Sequence, residues 1–280
     1  MIPESIMPTH FWRREMKKIH ICTIANDLNQ YEEMKSSFVQ AGFDEDQCRY
    51  SLFDNSIVNI YEPYSTFNQA LSNTTEPYII FCHQDVLLNQ GEGFEQLVKA
   101  IDEVEKLDPT WAVLGNAGCD RYFNGIFHLT APSLIPDQSV QYPAKVHSFD
   151  ENFLVVKTSA AIRCSADLEG FHLYASDLCL NAIQQGYSCY VISFHLTHLS
   201  GGNKNQAYWD LRVKFQNRWS QKFLFCYMRS PSSGRVMCLS RYSWLRTVLD
   251  KQKMAQILLF FARKRYIREL VDLSPHTIKG

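Results

Sequence analysis

No run in the 280-residue sequence approaches the ~18 apolar residues that a membrane-spanning helix needs. The longest purely aliphatic or aromatic run, residues 257–262 (ILLFFA), falls far short. Residues 1–18 mix Pro, Glu, His and Arg and lack an apolar core followed by small residues, so no secretory signal is expected. No two of the nine cysteines form a CxxC pair; the nearest, Cys179 and Cys189, lie ten apart. Several, such as Cys22, Cys82 and Cys189, sit inside apolar runs, where buried free thiols are expected. These three absences together predict a cytoplasmic protein. GxxxxGK[ST], GxGxxG and GxSxG are also missing, which argues against P-loop, dinucleotide-binding and α/β-hydrolase chemistry. No aromatic-basic repeat is present, so no nucleic-acid partner is expected.

The sequence is 46% hydrophobic and 20% charged, an ordinary globular composition. The net charge of −1 hides an asymmetry. From Arg229 onward there are eleven Lys/Arg against three Asp/Glu, so this part carries +8 and the preceding residues −9. A basic tail on an acidic body points to an anionic surface as a partner of the tail. Residues 254–271 (MAQILLFFARKRYIRELV) set apolar residues beside Arg263, Lys264, Arg265 and Arg268. This pattern suits either a helix lying at an anionic membrane surface or one packed on the body.

Short apolar runs alternate with helical spacing. Residues 18–24 (KIHICTI), 49–53, 78–82 (YIIFC), 111–114, 153–157 (FLVVK) and 188–193 read as strands. Residues from the turn at Ala25-Asn26-Asp27 to about 41, 64–71, 94–106 and 176–185 read as helices, the third with Phe94, Leu97, Val98, Ile101 and Val104 on one face. This order predicts an α/β fold, a mostly parallel sheet with helices on both faces. Residues 116–149 are rich in Gly, Pro, Asn and Asp and are expected to be irregular and functional. A helical end begins near Ala207. The expected division is a catalytic domain over 18–224 and a basic helical extension over 225–280.

Sites in open α/β sheets lie beyond the carboxyl ends of strands. Three polar clusters fall there: His83-Gln84-Asp85, Tyr174-Ala175-Ser176-Asp177, and the segment HLTHLSGG from His195. Asp85 suits a divalent cation shared with a diphosphate, or else caps a turn. Ser176 or Asp177 suits a helix N-cap. His198 is either a ligand or a hydrogen-bonded structural residue, and a zinc site built from His83, His195 and His198 is a weaker alternative.

Four segments in order resemble the family-2-like glycosyltransferases, in particular the branch named after a streptomycin-biosynthesis protein. They are NIYEPYSTFNQAL with YIIFCHQDVLL; VLGNAG; FDENFLVVK with GFHLYASDLCLNAIQQGYSCYVI; and THLSGG with FQNRWSQKF. The likeness spans roughly residues 18–223. It implies a GT-A fold and a transferase that moves a sugar, with inversion, from a nucleoside-diphosphate sugar to a saccharide or lipid-linked acceptor hydroxyl. It implies a divalent cation, Mn²⁺ or Mg²⁺, held by Asp85 and His198, with Asp177 as the base that activates the acceptor. His83 stands where the family has an acidic donor contact, and Asn26, Asp54 and Asn68 match donor-side positions. Ala175-Ser176 stands where an acidic residue is frequent. Two rivals are a diphosphate-cleaving, metal-dependent hydrolase or nucleotidyltransferase, and a nucleotide-sugar-binding protein without transferase activity.

Overall fold

Asn26 and Asp27 end the first strand and start the first helix, as the turn residues predicted. Asp27 caps that helix by accepting the backbone N–H groups of Asn29 and Gln30. The structure, a computed structural model, describes residues 19–132, 134, 139–201, 205–224, 226–249 and 257. The strands of the first half are β1 (Ile19–Ala25), β2 (Cys48–Asp54), β3 (Tyr78–Cys82), β4 (Val86–Leu88) and β5 (Trp111–Gly115). Between them run α1 (Leu28–Gln40), α2 (Pro63–Asn73) and α3 (Phe94–Leu107). The stretch expected to be irregular holds short strands instead: β6 (Ala117–Cys119), β7 (Gly125–Phe127), β8 (Leu129–Thr130), β9 (Ala144–Lys145) and β10 (Ser148–Phe149). They are too short to show periodicity in sequence. After them come β11 (Phe153–Lys157), α4 (Tyr174–Gln184), β12 (Ser188–Val191), β13 (Leu196–His198) and α5 (Gln206–Ser220).

The main sheet has the order β2-β1-β3-β11-β5-β12-β9. Five of its seven strands run one way; β11 and β9 run against their neighbours. The fold is therefore the expected α/β class, a mostly parallel sheet flanked by helices. Its core forms two layers because alternate residues of a strand face opposite sides. Ile79 and Phe81 of β3 join Tyr64 and Phe67 of α2, Leu178 of α4 and Phe215 of α5 on one face. Ile80 and Cys82 join Phe38 of α1 and Leu97 and Ile101 of α3 on the other. All nine cysteines are buried thiols outside any disulfide, including Cys22, Cys82 and Cys189, whose apolar neighbours predicted it.

The expected helical extension from residue 225 begins otherwise. β14 (Cys226–Arg229) and β15 (Val236–Leu239) form an antiparallel hairpin. Cys226, Met228, Met237 and Leu239 enter the same core as α2 and α4. Gln216 of α5 donates to the Cys238 carbonyl, and Ser148 donates to that of Arg229. This stretch thus belongs to the body, and helix appears only afterwards, in α6 (Ser243–Leu249). Among the described residues no helix is long and apolar enough to cross a membrane. Of the basic segment 254–271, all but residue 257 lies outside the described residues.

Candidate active site

The main sheet delivers His83, Gln84 and Asp85 at the exit of β3, and a second, smaller sheet brings His198 to them. β13 pairs antiparallel with β4, His198 opposite Val86, and the Leu199 N–H donates to the Asp85 carbonyl. The result is a cluster of His83, Asp85 and His198 whose ligand atoms all lie within 4.8 Å of one another. His198 Nε2 is 3.2 Å from Asp85 Oδ1, and His83 Nδ1 is 4.0 Å from the same oxygen.

The surroundings fix the chemistry of each ligand. Tyr174 Oη donates to the Glu151 carbonyl at 3.0 Å. A hydroxyl has one hydrogen, so the 2.8 Å contact between Tyr174 Oη and His83 Nε2 must carry the imidazole's proton. His83 Nδ1 is then the lone-pair nitrogen and faces Asp85. Burial raises the Asp85 carboxyl, but hydrogen bonding and charge from His198, with His83 and Ser200, outweigh this and hold it below its ordinary value. Burial lowers His198, yet the hydrogen bond and charge of Asp85, aided by Asp150 and Glu151, leave it raised. His83 is lowered by burial and by His198. One anionic carboxylate and two imidazoles, one with its lone pair already directed inward, fit a divalent metal of borderline softness.

The cluster stands between two cavities, each of about 450 Å³. The first is lined by Asn26, Asn55, Asn59, His83, Gln84 and Asp85, with Phe67 and Phe171 among its apolar surfaces. The second is lined by His83, His198, Asp150, Glu151 and His172, with Phe127, Tyr208 and Pro231. His83, Phe171 and Ser200 belong to both. Neither has a Lys or Arg among its described lining residues.

Four of the seven predicted site residues come together: Asn26, His83, Asp85 and His198. Gln84 ties the first of these to the strand exit, accepting the Asn26 and Asp27 N–H groups through Oε1 and donating through Nε2 to Asn26 Oδ1. The other three are placed differently. Asp54 is exposed and accepts the Ser56 N–H; its neighbour Asn55, buried, lines the cavity and holds the following loop through Ile60 and Tyr61. Asn68 spends its amide on both backbone groups of Cys164. His195, the third member of the weaker zinc set, bonds Thr130 and stacks on His128, away from the cluster.

Asp177, expected as the base or as an N-cap, is not the cap, which is Leu173, and its carboxylate faces the protein interior. It is fully buried. Oδ2 accepts Ser165 N–H at 2.6 Å and Asn181 Nδ2 at 3.1 Å; Oδ1 accepts Ser165 Oγ and Trp219 Nε1, each at 2.8 Å. Burial raises its carboxyl despite these donors. The helix starts earlier than Ser176, at Tyr174, because Leu173 turns the chain with φ 61°. Asp177 therefore lies one turn into α4, directed at α5, and lines neither cavity. Two cavity carboxyls escaped the sequence reading, Asp150 and Glu151. The segment FDENFLVVK was singled out for its resemblance, but nothing in spacing marked its acids as facing a cavity.

No family model matches the sequence. Among solved structures, S. aureus TarS residues 1–349 in complex with UDP-GlcNAc shares 13% identity at a TM-score of 0.46, covering 69% of this chain and 60% of that one. The mannosyltransferase PcManGT of Pyrobaculum calidifontis, in complex with GDP-Man and Mn²⁺, shares 11% at 0.42, covering 76% and 68%. GalNAc-T7 with UDP, GalNAc and Mn²⁺ shares 6% at 0.46, covering 68% and 46%. A curated protein of Fuscovulum blasticum, named ATP synthase subunits region ORF 6, is 33% identical over 211 residues, 72% of this chain and 84% of that protein. At that identity and coverage, the chain belongs to the family of this Fuscovulum blasticum protein.

Proposed function

We propose that this protein is a metal-dependent glycosyltransferase of the GT-A type, moving a sugar from a nucleoside-diphosphate sugar to an acceptor hydroxyl with inversion. One observation carries the reading: the His83–Asp85–His198 cluster opens onto an asparagine-lined cavity at the carboxyl ends of the parallel strands. The sequence likeness over residues 18–223 supports it. A diphosphate carries charge that this cavity, without Lys or Arg among its described lining, meets only through a cation. The ligand set favours Mn²⁺ over Mg²⁺, because imidazole nitrogen suits the softer ion and Mg²⁺ prefers oxygen. A bound cation would stabilise charge on the leaving diphosphate.

The chain's own residues supply the rest. Asn26, Asn55 and Asn59 offer amide donors and acceptors to the donor, and Gln84 holds the first of them rigid. Phe171, at the boundary of the two cavities, shields the reacting centre from water. The nine buried thiols suit a cytoplasmic setting, and the basic segment beyond residue 250 suits an anionic membrane surface. Loss of co-sedimentation with anionic vesicles on deleting residues 250–280 tests that last point; unchanged binding removes it.

Calorimetric titration with UDP and GDP, with and without Mn²⁺, tests the central reading. Nucleoside diphosphate binding that requires Mn²⁺ and is lost in Asp85→Asn is the expected result. Full binding in excess EDTA overturns it. Nucleotide-sugar consumption that no acceptor stimulates favours the hydrolase reading.

A further inference from the structure

Glu151 is buried and polar, stands two residues before β11, and directs its carboxyl to the second cavity rather than the first. Oε1 accepts the Leu173 N–H at 2.7 Å and Oε2 accepts the Ser232 hydroxyl at 3.1 Å. These bonds lock the carboxyl plane on the wall of the second cavity while leaving each oxygen a further lone pair. Leu173 makes this contact from a left-handed backbone, φ 61°, which is strained in a non-glycine residue. Beside it, Asp150 accepts twice from Asn152 through Oδ1. Burial, with the Asp150 charge, pushes the Glu151 carboxyl up to about 8.

The same cavity contains unmet hydrogen-bonding capacity. Tyr208 lines it and is fully buried, and its hydroxyl has no partner among the described residues. Buried polar groups left unpaired are uncommon and call for a ligand or water. The aromatic surfaces of Phe127, Phe171 and Tyr208 face a wall bearing two carboxyls. That lining suits a neutral, hydroxyl-rich ring and disfavours an anionic group at the reacting end.

We propose that the second cavity receives the acceptor as a saccharide end and that Glu151 takes the proton of its attacking hydroxyl, the role Asp177 is too enclosed to play. This rests on the transferase reading above. The acceptor oxygen forms its bond to the anomeric carbon with its own lone pair. The bond from that carbon to the diphosphate oxygen breaks, and its electron pair leaves with the diphosphate. The hydroxyl proton passes to Glu151 in its carboxylate form, whose share grows as pH rises toward about 8, and from there to solvent. Tyr208 orients the acceptor by hydrogen bonding.

The test compares Glu151→Gln and Glu151→Asp with the wild type in Mn²⁺. Nucleoside diphosphate release is followed from a panel of UDP- and GDP-sugars, with water and with a panel of free glycosides as acceptors. Gln keeps the contacts to Leu173 and Ser232, so UDP or GDP affinity and donor KM should stay within about threefold of wild type. kcat should fall at least ~100-fold, the usual scale for loss of a general base. Glu151→Asp, which keeps the carboxylate, should recover at least tenfold over Gln. Turnover by Glu151→Gln within threefold of wild type overturns the assignment, as do equal losses in both variants with a raised donor KM. A wild type that binds neither UDP nor GDP in Mn²⁺ overturns the transferase reading and this assignment with it; intact binding with an unaffected Gln variant overturns this assignment alone.

Discussion

Tyr174 Oη lies 2.8 Å from Nε2 of His83 and hands its own hydrogen to the Glu151 carbonyl. One hydroxyl therefore selects the His83 tautomer and connects the two cavities' walls. Partners of this kind hold a ligating imidazole in place, and their loss typically costs 10–100-fold in metal affinity.

Tyr174→Phe should accordingly weaken Mn²⁺ binding by about that factor while leaving the fold intact. Its ring packs edge-on against Tyr64 and Phe67, contacts that Phe retains. Calorimetric titration of Mn²⁺ into the variant checks this. Affinity equal to wild type would mean that the hydroxyl serves only the Glu151 carbonyl.

Asp177 should behave as a structural anchor. Asp177→Ala leaves the Ser165 N–H and hydroxyl, the Asn181 amide and the Trp219 indole N–H without their acceptor, and each buried donor left unsatisfied costs about 1–3 kcal/mol. Asp177→Asn should cost less, about 1–3 kcal/mol, because an amide N–H must face one of the donors. Denaturant unfolding measures both. A fully stable Asp177→Asn variant that has lost all transfer would restore the residue to catalysis.

Stability should depend on pH in opposite senses at two glutamates. Glu76 is held at about 2, first by its hydrogen bonds from Arg49. Its folded value is depressed, so its contribution is present above the unfolded value near 4.5 and is lost as pH falls toward 2. Glu151 is raised to about 8, chiefly by burial. Between 4.5 and 8 the folded state holds a proton that the unfolded state has released, so stability declines as pH rises through that window. Glu151→Gln mimics the protonated form. In metal-free buffer the stability gap between it and wild type should widen in favour of Gln from pH 5 to pH 8. Unfolding curves at several pH values decide this, and a pH-independent gap would contradict it.

The fold class was legible because its signals are local. β3 reads as YIIFC and α3 shows one apolar face, patterns with periods of 2 and 3.6 that no distant residue has to confirm. The place of Asp85 was legible for the same reason, as an acid three residues after the end of an unmistakable strand. The positions missed by one residue have an equally plain cause. Alternate residues of an extended chain point to opposite sides, so Asn55 faces the cavity while Asp54 faces water. β6 to β10 stayed hidden because two or three residues carry no period.

Sequence by itself determined the longer strands and helices of the main sheet, where their exits fall, and that His83, Asp85 and His198 are polar groups at such exits. Only the tertiary structure decided that they meet, because His198 reaches Asp85 through a β4–β13 pairing more than a hundred residues apart along the chain. It also decided where two acids lie. Leu173 turns the chain three residues before Ser176, and each helical residue rotates the side-chain direction by about 100°. Asp177 is thereby carried onto Trp219 and away from the cavities, while Glu151, drawn to the Leu173 N–H, stays on the cavity wall. Burial depends on what packs opposite, and no spacing within either segment encodes it.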